Sequence, residues 1–271
     1  MIGRRAAVAC LVLACAGCAE PRGQAAAPTH PTGAATPARS TTIASTAAAS
    51  TTTAWTAAAS TTTTTTTAST ATSVPVEFAS EIREVDTALA ARMSASWRPG
   101  CPVPLEQLRE VLVGYFGADG EAHRGELVVH QAVADDVVAV FRALFDARFP
   151  IAQMHPVDAF GGDDLASVRA NNTSAFNCRP VYGSTGGSWS RHAFGTAIDL
   201  NPLQNPYVLH GEVVPAEAIR WVDRSLGEPG MIAPDSIAVR AFAAIGWRWG
   251  GEWTNPDYQH FDLDPATIAR R

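Results

Sequence analysis

Two short segments gather most of the side chains that could do chemistry. The first is Ser190-Arg191-His192-Ala193-Phe194-Gly195-Thr196-Ala197-Ile198-Asp199. The second is Trp249-Gly250-Gly251-Glu252-Trp253, followed by Asp257-Tyr258-Gln259-His260-Phe261. A catalytic zinc draws three protein ligands from histidine and carboxylate and keeps a fourth position open. His192, Asp199 and His260 supply that set for one Zn2+. Asp199 lies between Ile198 and Leu200 on what reads as a core strand, where an ionised carboxylate is costly unless a positive charge compensates. A bound cation does so. Asp257, three residues before His260, could reach an activated water as a general base, with Glu252 as second choice. Ser190 reads as a supporting hydrogen-bond partner. Trp253, with Trp247 and Trp249, either lines a substrate groove or belongs to the core. The isolated His30, His123, His130, His155 and His210 read as structural or exposed, and Asp163 and Asp164 as a solvated turn.

The elements that must position these groups alternate between helix and strand. Phe78, Ile82, Val85 and Leu89 share one helical face, which predicts a helix. Pro104 opens a short helix through Leu108. Residues 110–116 and 126–130 read as strands around a turn-rich stretch. Val133, Val137, Phe141, Leu144 and Phe145 recur at helical spacing, with Asp135 and Asp136 early and Arg148 late, as the helix dipole prefers. Residues 151–160 look like a strand, and 161–190 like a long loop of the functional kind. A buried strand over 196–200, a helix capped by Asp235 and stopped by Gly246, and short strands at 247–249 and 260–263 complete an α+β pattern.

Composition narrows the chemistry further. All twenty basic residues among the 271 are arginine. Schiff-base catalysis, a P-loop lysine and a Ser-x-x-Lys nucleophile are therefore excluded. The Gly-x-Ser-x-Gly elbow is missing as well. A net charge of -6 argues against nucleic acid as a partner.

Residues 1–18 read as a signal peptide, with Arg4 and Arg5 before an apolar run. Ala16-Gly17-Cys18 resembles a bacterial lipoprotein cleavage site, with Cys18 as the lipidated residue and a lipid anchor as the chain's contact with membrane. Residues 19–75 are Ala, Thr, Ser and Pro with almost no large apolar side chain, a composition expected to stay disordered as a tether. Residues 76–271 form the remaining domain. Its two cysteines, Cys101 and Cys178, read as a disulfide in an exported protein.

Together, Ser-x-His-x-x-Gly-x-Ala-x-Asp, Gly-Gly-x-Trp and Asp-x-x-His-Phe resemble the D-alanyl-D-alanine carboxypeptidase family of zinc peptidases. That family includes the vancomycin-resistance carboxypeptidases, dipeptidases and phage L-alanyl-D-glutamate endolysins, and shares its fold with the amino-terminal hedgehog signalling domain. The motifs cover residues 190–261, and the element order from Leu105 onward is compatible with the fold. The resemblance implies one α+β domain with an antiparallel sheet core, flanking helices and a catalytic core over about residues 105–268. It implies His192, Asp199 and His260 as zinc ligands and Asp257 as catalytic base. The implied substrate is a peptidoglycan stem peptide, cut either as a D,D-carboxypeptidase or as an L-Ala–D-Glu endopeptidase would cut it. One departure stands out. Many members carry an arginine near an aromatic residue upstream of the histidine motif, where this chain has Val157-Asp158-Ala159-Phe160-Gly161-Gly162. Arg179 is the substitute expected to polarise the scissile carbonyl, weighed evenly against a purely structural ion pair. The competing class is a catalytically inactive, zinc-stabilised module that binds cell wall or a partner. The missing arginine favours that class, and Asp257 favours an enzyme.

Overall fold

The structure, a computed structural model, describes residues 76–181 and 187–270. The leader with Cys18 and the segment up to residue 75 lie outside the described residues. The first elements are β1 (Ser80–Glu84) and α1 (Thr87–Arg92). The spacing of Phe78, Ile82, Val85 and Leu89 predicts one helix here, and the structure divides it. Residues 80–84 pair antiparallel with β2 (Leu108–Phe116) as an edge strand. Helix starts only after Asp86, whose carboxylate accepts the Leu89 N–H at 2.8 Å. Glu81 bridges Arg83 and Arg124 across the exposed face, a cross-strand support that helical periodicity does not register.

β3 (Ala122–His130) completes an antiparallel sheet of order β1-β2-β3. Pro104 introduces a 3-10 turn over Leu105–Gln107 in place of the expected helix. α2 (Ala134–Asp146) lays Val137, Val140, Phe141 and Leu144 on the sheet, where they meet Val111, Val113, Leu127 and Val129. Asp135 and Asp136 stand in its first turn, beside the positive end of the helix dipole.

The strand expected over 151–160 shrinks to β4 (Gln153–Met154). Pro156 turns the chain away, and a 3-10 turn occupies Val157–Phe160. The long loop expected after residue 161 contains α3 (Asp164–Arg169) and then β5 (Asn172–Thr173), which runs parallel to β4. The Asn172 side chain accepts the His155 N–H and donates to the His155 carbonyl, bracketing that crossing.

The remaining elements are β6 (Ala197–Asp199), β7 (Tyr207–Leu209), β8 (Glu212–Val214), α4 (Ile237–Ala244), β9 (Arg248–Trp249) and β10 (His260–Asp262). Ser236 caps α4, one residue later than the Asp235 cap expected. β6, β10 and β9 form a second antiparallel sheet with β10 in the middle, and β7 and β8 form a hairpin. Ile198, Leu200, Phe242 and Phe261 join the core built on α2, so the second sheet rests on the first through one apolar interior. The result is an α+β domain of antiparallel sheets with a few helices. No described helix is long and apolar enough to cross a membrane.

Cys101 and Cys178 are disulfide-bonded across 77 residues of chain. Closing a loop of that size restricts the unfolded ensemble by about 4 kcal/mol in the chain-entropy model. Replacing both cysteines by serine should lower unfolding stability by about that amount, read as a reduced urea midpoint. An unchanged midpoint would mean that the bridge does not constrain the protein.

Candidate metal centre

Strand register brings the first two groups together. Asp199 ends β6, His260 begins β10, and the ladder sets them directly opposite. His260 Nδ1 thereby lies 2.8 Å from Asp199 Oδ1. His192 arrives from a 3-10 turn over Arg191–Phe194. Ser190 Oγ accepts the His192 N–H at 3.3 Å, which starts that turn. Gly195 ends it at φ 65°, and a Cβ there would come within 2.5 Å of the His130 backbone nitrogen. The glycine of the motif is thus required by the close approach of this turn to β3.

His192 Nε2 lies 3.2 Å from Asp199 Oδ2 and 3.3 Å from His260 Nδ1. One ligand atom from each of the three residues falls within 4.8 Å of the others, and all three side chains are buried. His192 Nδ1 stands 2.6 Å from the Ala175 carbonyl oxygen. A carbonyl can only accept, so Nδ1 donates, and in the neutral ring the Nε2 lone pair faces Asp199. Burial alone would raise the Asp199 carboxyl, yet the two imidazoles hold it far below the usual carboxylate range. Burial works against charge on His192 too, and Asp199 overcomes it, raising that imidazole. A buried carboxylate and two nitrogens converging on one point are a donor set that fits a metal ion such as zinc.

Asp257 stands beside this cluster. Its N–H donates to the Gly250 carbonyl at 3.0 Å, and an isolated bridge ties it to Tyr207. A Cβ on Gly250 would approach the Asp257 carbonyl oxygen to 2.7 Å, so the Gly-Gly turn must be bare for Asp257 to fold in. Its Oδ1 is closed off from solvent with no hydrogen-bond partner. Burial pushes the Asp257 carboxyl up to about 7, with His260 opposing and Asp199 adding to the rise. A carboxyl poised near neutrality suits proton transfer in both directions.

These residues open into a cavity of about 160 Å³. Its polar wall includes Asp164, Arg179 and Ser190, and its apolar wall Tyr207, Val214 and Trp253. Arg179 Nε pairs with Asp164 Oδ1 at 2.8 Å. Asp163 and Asp164 are therefore not a solvated turn: Asp163 caps α3 through the Ala166 N–H, while Asp164 faces the cavity. Trp253 is 39% exposed at the cavity wall, whereas Trp247 and Trp249 are buried in the core. Glu252 is exposed on the 3-10 turn Gly250–Glu252 and does not line the cavity. Asp164, Tyr207 and Val214 carry no motif; Tyr207 and Val214 are paired in the β7–β8 hairpin, which puts both on one wall.

Residues 183–263 match the family described as D-alanyl-D-alanine carboxypeptidase. The matched segment contains His192, Asp199, Asp257 and His260, the same residues that converge in the structure. That segment is therefore similar to a peptidase family. No curated protein and no solved structure matches the chain.

Proposed function

We propose that this protein is a zinc peptidase that hydrolyses amide bonds in peptidoglycan stem peptides. The observation that carries the reading is the buried His192–Asp199–His260 cluster with the near-neutral carboxyl of Asp257 opening into the same cavity. Zinc, when bound, supplies Lewis-acid chemistry, favouring ionisation of water and polarising the scissile carbonyl. Asp257 takes a proton from the attacking water and returns it to the leaving amine. Arg179 faces the oxygen that gains charge during attack and steadies it by hydrogen bonding. Ser190 holds the turn that aims His192. Trp253, Tyr207 and Val214 exclude water from one side and hold the less polar parts of the peptide.

The leader sequence and the disulfide support action outside the cytoplasm, in the cell envelope, with Cys18 as the lipid attachment point. The test incubates the zinc-loaded full chain with purified peptidoglycan and with a synthetic stem pentapeptide, and reads products by mass spectrometry. Release of the terminal D-Ala, or cleavage after L-Ala, is the expected result and names the bond. Absence of any product from folded, zinc-bound protein would favour an inactive zinc-stabilised binding module.

A further inference from the structure

We infer that Asp164 is a positioning residue for Arg179, its carboxylate fixing where the guanidinium meets the cavity. This inference rests on the peptidase reading above. The two ends of Arg179 are held in different ways.

The backbone end is tied from several directions. Cys178 is bonded to Cys101, and its N–H donates to the Ser96 carbonyl at 3.0 Å. The Cys178 carbonyl accepts from Arg98 Nη1 at 2.9 Å, and the Arg179 carbonyl accepts the Ser190 N–H at 3.0 Å. These bonds place the Arg179 backbone beside the turn that carries His192. They leave the long side chain free to choose among rotamers, and a guanidinium acts on a reacting group only if it is already oriented.

Asp164 supplies the orientation. It is the first residue of α3, and α3 is started by the separate carboxylate of Asp163, which accepts the Ala166 N–H at 3.1 Å. Asp164 is thus released from capping. Its Oδ1 lies 2.8 Å from Arg179 Nε and 3.3 Å from Asn177 Nδ2, so it grips both the arginine and the chain just before it. Arg179 Nε is shut off from solvent and makes no directed hydrogen bond, so its 2.8 Å approach to Asp164 is an ion pair held by charge, in a side chain only 20% exposed. Nη1 donates to the Pro180 carbonyl at 3.4 Å, so this bond and the ion pair at Nε together set the guanidinium that lines the cavity. Asp164 stands outside the cluster that could hold a metal, so its influence on the reaction passes through Arg179.

The experiment is a double-mutant cycle on the zinc-loaded full chain, with stem pentapeptide as substrate. Asp164→Asn keeps the shape and an acceptor for Asn177 and removes the charge. We expect kcat to fall about 10-fold with KM little changed, zinc content intact and the thermal midpoint held, and Asp164→Glu to recover part of the loss. Arg179→Ala should lower kcat by about 100-fold, the scale of losing one oxyanion donor. Adding Asp164→Asn to Arg179→Ala should lower it no further. Wild-type kcat in Asp164→Asn, an equal fall in both backgrounds, or full activity in Arg179→Ala would each overturn the inference while leaving a working peptidase. A wild-type chain that binds zinc and cuts nothing would remove the peptidase reading itself, and this inference with it.

Discussion

His260→Ala should yield a folded protein that has lost both its metal and its turnover. His260 Nδ1 is one of three converging donor atoms, and its loss leaves one imidazole and one carboxylate to hold an ion. Removing even an outer partner of a metal ligand commonly costs about 10–100-fold in affinity, so removing a ligand should cost more than about 100-fold. Activity should fall at least in parallel, because two ligands neither retain the ion at working concentrations nor fix its place beside Asp257. The fold should survive, since Phe261 and Ile198 still anchor the strand pair in the core. The metal-free variant should nonetheless be less stable than the metal-free parent, by about 3 kcal/mol, because Asp199 keeps only His192 as partner to a buried charge. Equilibrium dialysis followed by metal analysis, with circular dichroism as the fold control, decides the matter. Stoichiometric zinc and full turnover in the variant would remove His260 from the site.

Asp257→Asn should separate the two effects, with metal retained and catalysis lost. The amide keeps the shape and the backbone bond to Gly250 but cannot accept and return a proton. General acid–base groups contribute about 100- to 10,000-fold, and the loss should fall in that range, mainly in kcat. The metal-free proteins give an independent reading. The Asp257 carboxyl is raised to about 7 by burial, against an ordinary value of 3.8. A carboxyl raised on folding adds stability below pH 4 and withdraws it as pH climbs through 7. Between those limits the metal-free parent should lose up to about 4 kcal/mol relative to metal-free Asp257→Asn, seen as a gap in urea midpoints that widens with pH. A gap that stays flat would mean that Asp257 is not held in the protonated form.

How much of this was legible in the sequence depends on whether the deciding contact was local. His192, Gly195 and Asp199 are set by one turn running into one strand, and His260 lies opposite Asp199 through a short ladder, so the residue types and the two motifs pointed to the set. The preference for Asp257 over Glu252 rested on its place three residues before His260, and the structure gives the physical reason for it. The Gly250 carbonyl draws the Asp257 backbone inward while the turn sends Glu252 to solvent. Asp164 stayed hidden because its partner lies fifteen residues on, and the two meet only when both segments fold onto one wall of the cavity. The core helix α2 was readable, its apolar stripe being long and regular. β1 was not, because a five-residue edge strand, exposed along its length, is held by pairing with β2 and by charges rather than by burial.

The opposition of Asp199 and His260 depends on the side of β10 that faces away from them. Neighbouring residues of a strand face opposite sides, so His260 looks into the cavity while Phe261 stacks on Phe242 at 4.0 Å inside the core. Sliding β10 by a single residue would exchange them, burying an imidazole in hydrocarbon and offering Asp199 a phenyl ring. The aromatic stack therefore acts as a proofreader for the ligand set. Only the alignment that seats Phe261 against Phe242 sets His260 opposite Asp199.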